Sequence, residues 1–319
     1  MKTKKRKVNL VSIIFSFRNE ENNIDELVKR TSIALKMFPY EMIFVNDNSN
    51  DKSLDILSKL MSTHPIKIIN MSRRFGVTPC VIAGLQHAKG DAIVYLDSDL
   101  QDPPELIPTL IKKFQNGAEV VHTKRISRKG ESLFKIYLTK IAYKIINFFS
   151  EIELEENAGD FKLLSKRAVK TILELPEHTT YIRGLSVWVG FRQDLVLYDR
   201  DARAGGESKF PVLSKGPMME FFKGLTAFSA TPLFLSFLFS IVSILIAFSL
   251  VVYGIAIKFL DLSASGIPSI LIAMSFFNGV ILLALGILGV YIAQIYYEVK
   301  NRPKYIIKDI IEKKSENNS

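Results

Sequence analysis

Three carboxylates, Asp97, Asp99 and Asp102, fall within six residues, directly after the apolar run Ala92 to Leu96 and directly before Pro103 and Pro104. The run is β-branched and aromatic and reads as a buried strand. The two prolines can open a helix but cannot continue a strand. Asp97 and Asp99 therefore stand just past the carboxyl end of a strand, where open α/β sheets bind their ligands. Alternate residues of an extended segment point to one side, which brings these two carboxylates together. A hard divalent cation relieves their repulsion and can carry phosphate oxygens as its further ligands. A bare Asp-x-Asp is more simply read as a solvated acidic turn. The buried strand before it, with Gln101 and the two prolines after it, moves the balance to metal-diphosphate binding.

The elements that must hold this stretch follow from the flanking sequence. The 319 residues give room for one large domain and an appendage. Val8 to Phe17 reads as a first buried strand, followed by a helix from about Glu20 to Met37 with Ile24, Leu27, Val28, Ala34 and Leu35 on one face. Glu41 to Val45 is a second strand, ending in the polar turn Asn46 to Asp51. A helix through Leu54, Leu57 and Leu60 leads to a third strand, Ile66 to Met71, and a further helix spans Val77 to Ala88. After Ala92 to Leu96 come a helix over Pro103 to Gln115, a strand over Ala118 to Thr123 and a basic loop, Lys124 to Gly130. Strands alternating with helices of this size predict βαβ units and a parallel sheet. The helix Leu133 to Phe149 has an apolar face and lysines elsewhere, which suits a membrane interface and a core helix about equally.

Charge and composition narrow the partners. The net charge of +10 calls for an anionic partner, which is a nucleic acid, a membrane surface or a phosphorylated substrate. No zinc-finger spacing and no RNA-binding aromatic signature occurs, so no nucleic-acid partner is expected. A single cysteine, Cys80, excludes an internal disulfide. Histidines 64, 87, 122 and 178 are scattered without metal-ligand spacing. The basic start followed by Val8 to Phe17 imitates a signal peptide, but Phe17 runs into Arg18-Asn19-Glu20-Glu21 with no small-residue cleavage site. No targeting peptide is expected.

The last third is different in kind. Leu233 to Ile257 and Ile267 to Tyr297 contain no charged residue, and roughly 20 apolar residues suffice to cross a bilayer. The short link between them predicts a helical hairpin, with spans at about 232–257 and 267–295 inside a membrane unit of 231–298. Lysines and arginines lie before the first span and after the second, while the link has Lys258 alone, so both termini are expected on the cytoplasmic side. The expected organisation is a cytosolic catalytic domain over 1–212, an amphipathic interfacial linker over 213–230, the hairpin, and a basic cytoplasmic tail over 299–319. Exposed span faces leave room for a homo-oligomer. A soluble domain tethered to a membrane suggests a lipid-borne substrate.

With these residues assembled, the chain resembles the polyprenyl-phosphate glycosyltransferases of glycosyltransferase family 2, close to dolichol-phosphate mannose synthases and bacterial undecaprenyl-phosphate sugar transferases. The resemblance runs from about Val11 to Pro303 and rests on six pieces. They are Phe17 to Asn22, Phe44 to Ser49, Asp97 to Pro104, Ala158 to Leu164, Arg183-Gly184 with Trp188 to Phe191, and Arg200 to Phe210. It implies an α/β GT-A fold, a nucleotide-sugar donor, a polyprenyl phosphate acceptor and a bacterial inner-membrane location. Asn19, Glu20, Asp47, Asp97, Ser98 and Asp99 then belong to the donor site, with Asp47 at the base or ribose. Asp97, Asp99 and Gln101 match the motif for Mg²⁺ or Mn²⁺ and the diphosphate. The resemblance puts Asp160 in catalysis or sugar positioning. Arg203, Ser208 and Lys209 match a basic loop that closes on phosphates, and Arg125 and Arg128 match positions near the acceptor phosphate. Two departures stand out: Asn46, where the family often has a second aspartate, and Phe210 in place of a tyrosine.

The implied reaction is a single displacement with inversion at the anomeric carbon. Mg²⁺ or Mn²⁺ neutralises the departing diphosphate, while Arg203, Lys209, Arg125 and Arg128 bring the anionic acceptor in. UDP-glucose or a related UDP-sugar is the first expectation for the donor, and GDP-mannose the next. A processive polysaccharide synthase would need a Gln-x-x-Arg-Trp motif that does not occur. A membrane-anchored nucleotidyltransferase and a non-enzymatic scaffold subunit remain as alternatives.

Overall fold

The computed structural model describes residues 5–126, 133–155, 158–178, 180–199, 215–259 and 266–313. Eight strands form one sheet: β1 (Val11–Phe17), β2 (Tyr40–Asn46), β3 (Ile66–Met71), β4 (Ala92–Asp97), β5 (Val120–Arg125), β6 (Ala158–Ser165), β7 (Gln193–Tyr198) and β8 (Ile307–Glu312), in the order β7-β5-β6-β4-β1-β2-β3-β8. The central strands are buried almost end to end, as their continuous apolar runs require of a sheet covered on both faces. The first helices are α1 (Ile24–Ala34), α2 (Ser53–Leu60), α3 (Val77–His87) and α4 (Ile107–Gln115), the last entered through a 3₁₀ turn at Pro104–Leu106. One core layer packs Phe15, Phe44 and Ile68 against Ile24, Leu27, Leu110 and Ile111. The opposite layer packs Ile14, Ile43, Ile69 and Tyr95 against α3, α6 (Lys166–Glu174) and α7 (Ile182–Trp188).

The sheet is mixed, which corrects the expectation of a parallel one. β1, β2, β3, β4, β5 and β7 run in one direction, while β6 lies antiparallel between β4 and β5. The consequence is direct. The amino end of β6 meets the carboxyl ends of its neighbours, so Asp160 reaches the same edge as Asp97 and Arg125.

A second correction concerns the expected basic tail over 299–319. Its residues Ile307–Glu312 form β8, antiparallel to β3, with Asn70 opposite Asp309 and Lys67 opposite Glu312. Lys67 and Glu312 also form an ion pair of 3.1 Å. β8 covers an edge that would otherwise expose unpaired backbone groups. The catalytic domain therefore extends beyond the expected 1–212 to include a strand from the far end of the chain.

Between these parts lie α5 (Leu133–Phe149), α8 (Lys215–Ala227) and two long helices, α9 (Thr231–Phe259) and α10 (Ile267–Lys300). Ile146 of α5 is buried whereas Tyr137 and Phe148 are exposed, so α5 serves the core with one side only. At the end of α8, Phe221 and Phe228 pack onto the domain core, and Phe228 lies so close to Gly184 that a Cβ there would meet its ring. Both α9 and α10 are long and apolar enough to cross a membrane, and large side chains such as Phe234, Leu245 and Leu282 stand open along them.

Packing of α3 on the sheet depends on Gly84, where an added Cβ would come within 2.3 Å of Ile14 Cγ2. Ile14 is fully buried and has nowhere to retreat. Gly84→Ala gains helix propensity but overpacks this contact, and a net destabilisation of about 1–2 kcal/mol is expected. Thermal unfolding of the purified variant reads it as a lowered Tm.

Candidate active site

The carboxyl edge of the sheet carries the chemistry. Ser16, Phe17, Arg18, Glu20, Asp47, Val77, Cys80, Asp97, Ser98 and Asp99 line one cavity of about 210 Å³ there. Asp97 ends β4, and Ser98 is pinned by donating its hydroxyl to the Ser16 carbonyl oxygen at 3.0 Å. Leu100, at a φ of 59°, turns the chain sharply, and Asp99 Oδ1 accepts the Gln101 N–H at 3.2 Å. The fold thus brings Asp97 and Asp99 into the lining of one cavity, and Gln101 is not among its lining residues.

Asp47 and Glu20 also line the cavity, each with a structural duty. The Asp47 carboxylate accepts the N–H groups of Phe75 (2.6 Å) and Gly76 (3.0 Å), holding the turn that opens α3. Gly76 itself sits at a φ of 95°, a conformation few other residues adopt. Glu20 accepts from Asn23 at 2.6 Å. Asn19 is not among the lining residues. Its backbone N–H donates to Ser49 Oγ and its Oδ1 accepts from the Asn50 N–H, so it ties the loop after β1 to the loop after β2. Cys80 is fully buried on the cavity wall, and burial, with Asp47 beside it, pushes its thiol pKa up, which leaves it unreactive.

Beside the cavity lies a cluster of paired charges. Asp160 takes two hydrogen bonds from Arg183 of α7, at 2.7 and 2.5 Å. Burial opposes ionisation of Asp160, but Arg183, with Lys162 and Arg125 beyond it, outweighs that and holds its carboxyl well below the usual range. Arg125 Nε donates to the Tyr198 hydroxyl at 3.2 Å, and that hydroxyl donates to the fully buried Asp102 at 2.5 Å. Burial and Asp102 push Tyr198 up to about 12. Arg125, which ends β5, is anchored by Tyr198 and by Asp102 3.9 Å away. Arg128, Arg203, Ser208 and Lys209 lie outside the described residues.

Several residues here carry no signal in the sequence. Lys162 is almost fully buried, donates to Ser186 Oγ at 3.2 Å, and has its pKa pushed down to about 8 by burial, partly offset by Asp160. It lines a small cavity of about 60 Å³ with His122, Tyr143, Arg183 and Gln193. The Tyr95 hydroxyl and Arg18 Nε are buried without a hydrogen-bond partner among the described residues. Only the location of Arg18 in a motif-bearing stretch and of Tyr95 two residues before Asp97 could have pointed to them.

Asp97 and Asp99 supply hard oxygen donors from one wall, the chemistry Mg²⁺ and Mn²⁺ take. Among the described residues no three His, Cys, Asp or Glu side chains converge into a ready-made cage. Such a donor set suits a metal that completes its shell with water and substrate phosphate.

A mixed α/β sheet with a carboxylate-lined cavity at its carboxyl edge is the layout expected of a domain that binds a phosphorylated ligand there. A model of glycosyl transferase family 2 matches residues 12–173. An uncharacterized glycosyltransferase of Synechocystis sp. is 38% identical over 308 residues, covering 94% of this chain and 95% of its own length. The bactoprenol glucosyl transferase of Shigella phage SfII is 39% identical over 306 residues, covering 93% of this chain and 97% of its own length. Among solved structures, the UDP complex of glucosyl-3-phosphoglycerate synthase from Mycobacterium tuberculosis aligns with 69% of this chain and 79% of its own, at a TM-score of 0.46 and 17% identity. The chain belongs to glycosyltransferase family 2, and it is a glycosyltransferase.

His122 gives the domain a pH signature. Burial, with Lys162 beside it, pushes its pKa down to about 4, and Gln193 Oε1 lies 2.8 Å from Nε2. Below about 6.5 the unfolded chain takes up a proton that the folded chain refuses until about pH 4, so stability falls with pH across that window. His122→Gln keeps a hydrogen-bonding group and removes the titration. Its loss of stability between pH 6.5 and 4 is expected to be smaller than the wild type's by up to about 3 kcal/mol, read from unfolding midpoints over a pH series.

Proposed function

We propose that the protein is a membrane-bound inverting glycosyltransferase that moves a hexose, glucose first among them, from a nucleotide-sugar donor to polyprenyl phosphate. The carrying observation is the cavity that gathers Asp47, Asp97 and Asp99 at the carboxyl edge of the sheet. Relatives named bactoprenol glucosyl transferase, matching nearly full length at 36–39% identity, support the lipid acceptor and the sugar. UDP-glucose is the favoured donor and GDP-mannose the alternative. The two apolar helices support an inner-membrane protein that crosses the bilayer twice, with the catalytic domain and both termini cytoplasmic. A homo-oligomer is part of this reading.

In this reading Asp97 and Asp99 hold Mg²⁺ or Mn²⁺, with Gln101 close behind them. When bound, the metal supplies Lewis-acid neutralisation of the leaving diphosphate. Asp47, Glu20, Ser98 and Arg18 line the donor cavity, and Asn19 holds its two rim loops together. Arg125 faces the acceptor phosphate, with Arg128, Arg203, Ser208 and Lys209 from the basic loops.

The ionisation state of Asp160 sharpens the chemistry. A phosphomonoester has a second pKa near ~6, so the acceptor oxygen is already largely deprotonated at neutral pH and needs no strong base. Asp160, held ionised by Arg183, is a poor proton acceptor in any case. Its part is to orient the sugar or acceptor, or to stabilise positive charge developing at the anomeric carbon.

Purified protein in detergent, given undecaprenyl phosphate, Mg²⁺ or Mn²⁺ and a panel of radiolabelled nucleotide sugars, tests the proposal. Label is expected to enter the organic phase from UDP-glucose, and to stop doing so with EDTA or with Asp99→Ala, whose Tm stays close to the wild type's. Asp160→Asn is expected to lose about 100-fold or more in turnover at saturating substrate. Full turnover by Asp160→Asn would remove it from the chemistry. Label remaining aqueous across the whole panel would favour a nucleotidyltransferase or a scaffold instead.

A further inference from the structure

Three residues stand directly opposite one another on adjacent strands: Asn46 at the end of β2, Asn70 in β3 and Asp309 in β8. Asn46 and Asn70 are buried, at 5% and 6% exposure, while Asp309 is exposed at the sheet edge. A carboxylate only accepts hydrogen bonds, so the direction of the chain is set from the outside. Asn70 Nδ2 donates to Asp309 Oδ1 at 2.6 Å, which leaves Asn70 Oδ1 facing inward. That oxygen accepts from Asn46 Nδ2 at 2.9 Å, and Asn46 Oδ1 is then free to accept the Ser49 N–H at 2.8 Å. Ser49 Oγ accepts the Asn19 N–H at 3.1 Å, and Asn19 Oδ1 accepts the Asn50 N–H at 3.0 Å. The residue after Asn46 is Asp47, on the cavity wall.

We propose that β8 is a positioning element of the donor site, in which Asp309 acts through Asn70 and Asn46 to set the loop that carries Asp47, and that Asn46 and Asp309 are a matched pair. This rests on reading the cavity as the nucleotide-sugar site. Asp309 touches no substrate; it is a positioning residue. The relay accounts for the departure at position 46. An aspartate there could not donate to Asn70. Asn70 would have to reverse its amide to serve it, and would then present its oxygen to the Asp309 carboxylate. One of the two contacts must be lost, either the grip of β8 or the orientation of the rim loop. Placing an aspartate at 46 and an asparagine at 309 reverses the two side-chain hydrogen bonds through Asn70, still offers an oxygen to the Ser49 N–H, and so restores every bond of the relay.

The test is a double-mutant cycle on the full-length protein in detergent, with the wild type, Asn46→Asp, Asp309→Asn and the double variant. Each is read by thermal unfolding and by calorimetric titration with UDP, and with GDP in parallel. Asn46→Asp is expected to lower the Tm and weaken nucleotide binding about tenfold. The double variant, despite its extra substitution, is expected to recover both, to within about threefold of wild-type affinity. Additive losses, with the double variant no better than Asn46→Asp, would overturn the matched pair. A Tm that recovers while nucleotide affinity does not would reduce the relay to sheet architecture and overturn the positioning role. A wild type that binds neither nucleotide would instead bring down the transferase reading, and the positioning role with it. The four unfolding midpoints would still show whether positions 46 and 309 are paired.

Discussion

Carboxylates collected at one end of a sheet repel one another, and much of this structure is the means by which that repulsion is contained. Asp47 is met by two backbone N–H groups, Asp102 by Tyr198 with Arg125 nearby, and Asp160 by the paired nitrogens of Arg183. Asp97 and Asp99 line the cavity, and Asp99 also accepts the Gln101 N–H. The partners come from separate elements. Arg183 comes from α7, Tyr198 from the outermost strand β7 and Arg125 from β5, so no carboxylate is neutralised by its own element. The edge becomes electrostatically tolerable only when both flanks of the sheet are in place, which ties the site to complete folding of the domain.

The insertion of β6 against the direction of its neighbours is the architectural counterpart. A purely parallel sheet would place the start of each strand at the far edge, and Asp160, third residue of β6, would lie there too. Reversal delivers it beside Asp97. The same strand sends Lys162 into a closed pocket, where it donates to Ser186 and lies 6.0 Å from the Tyr95 ring. A lysine so buried is tolerable because Asp160 stands two residues away on the same face. Asp160 thus balances two cations, Arg183 and Lys162, and its ionisation follows from that company against the opposing effect of burial.

The sequence revealed these features unequally, for physical reasons. β1 to β4 were legible because their apolar runs are long and each is followed by a helix with a clear face. Asp97 and Asp99 stood out because the buried strand before them, with Gln101 and two prolines after them, sets the pair apart from a bare acidic turn. The strand β6 was hidden because Asp160 and Lys162 interrupt its apolar pattern, and both charges find their partners only in the folded state. Partners of this kind are distant: Asp102 meets Tyr198 across 96 residues, and Asp160 meets Arg183 across 23. β8 was hidden for a related reason. Ile307–Glu312 carries three charges in six residues and follows a basic stretch, so it reads as a tail, and its pairing with Asn70 spans 239 residues. The departure of Asn46 from the family pattern was visible, but its meaning lay in that same distant strand.

β8 also constrains how the domain can stand at a bilayer. The chain leaves the domain at the end of α8, runs through α9 and α10, and returns to pair with β3 in the same sheet. Strands hydrogen-bonded to each other occupy one compartment, so an apolar segment between them must cross an even number of times or not at all. With two helices of spanning length between β3 and β8, a single crossing is excluded. The attachments at its base are specific. Tyr291 donates to the Ser229 carbonyl oxygen at 2.7 Å, Gln294 meets Thr226, and the His178 N–H donates to Glu298 at 2.8 Å. Tyr305 then reaches Gln86 near the end of α3, the helix whose first turn lines the cavity with Val77 and Cys80. These contacts tie the two long apolar helices to the domain that carries the cavity. Under the proposed reaction, in which a lipid phosphate meets a donor in the cavity, such attachments serve the encounter better than a free hinge would.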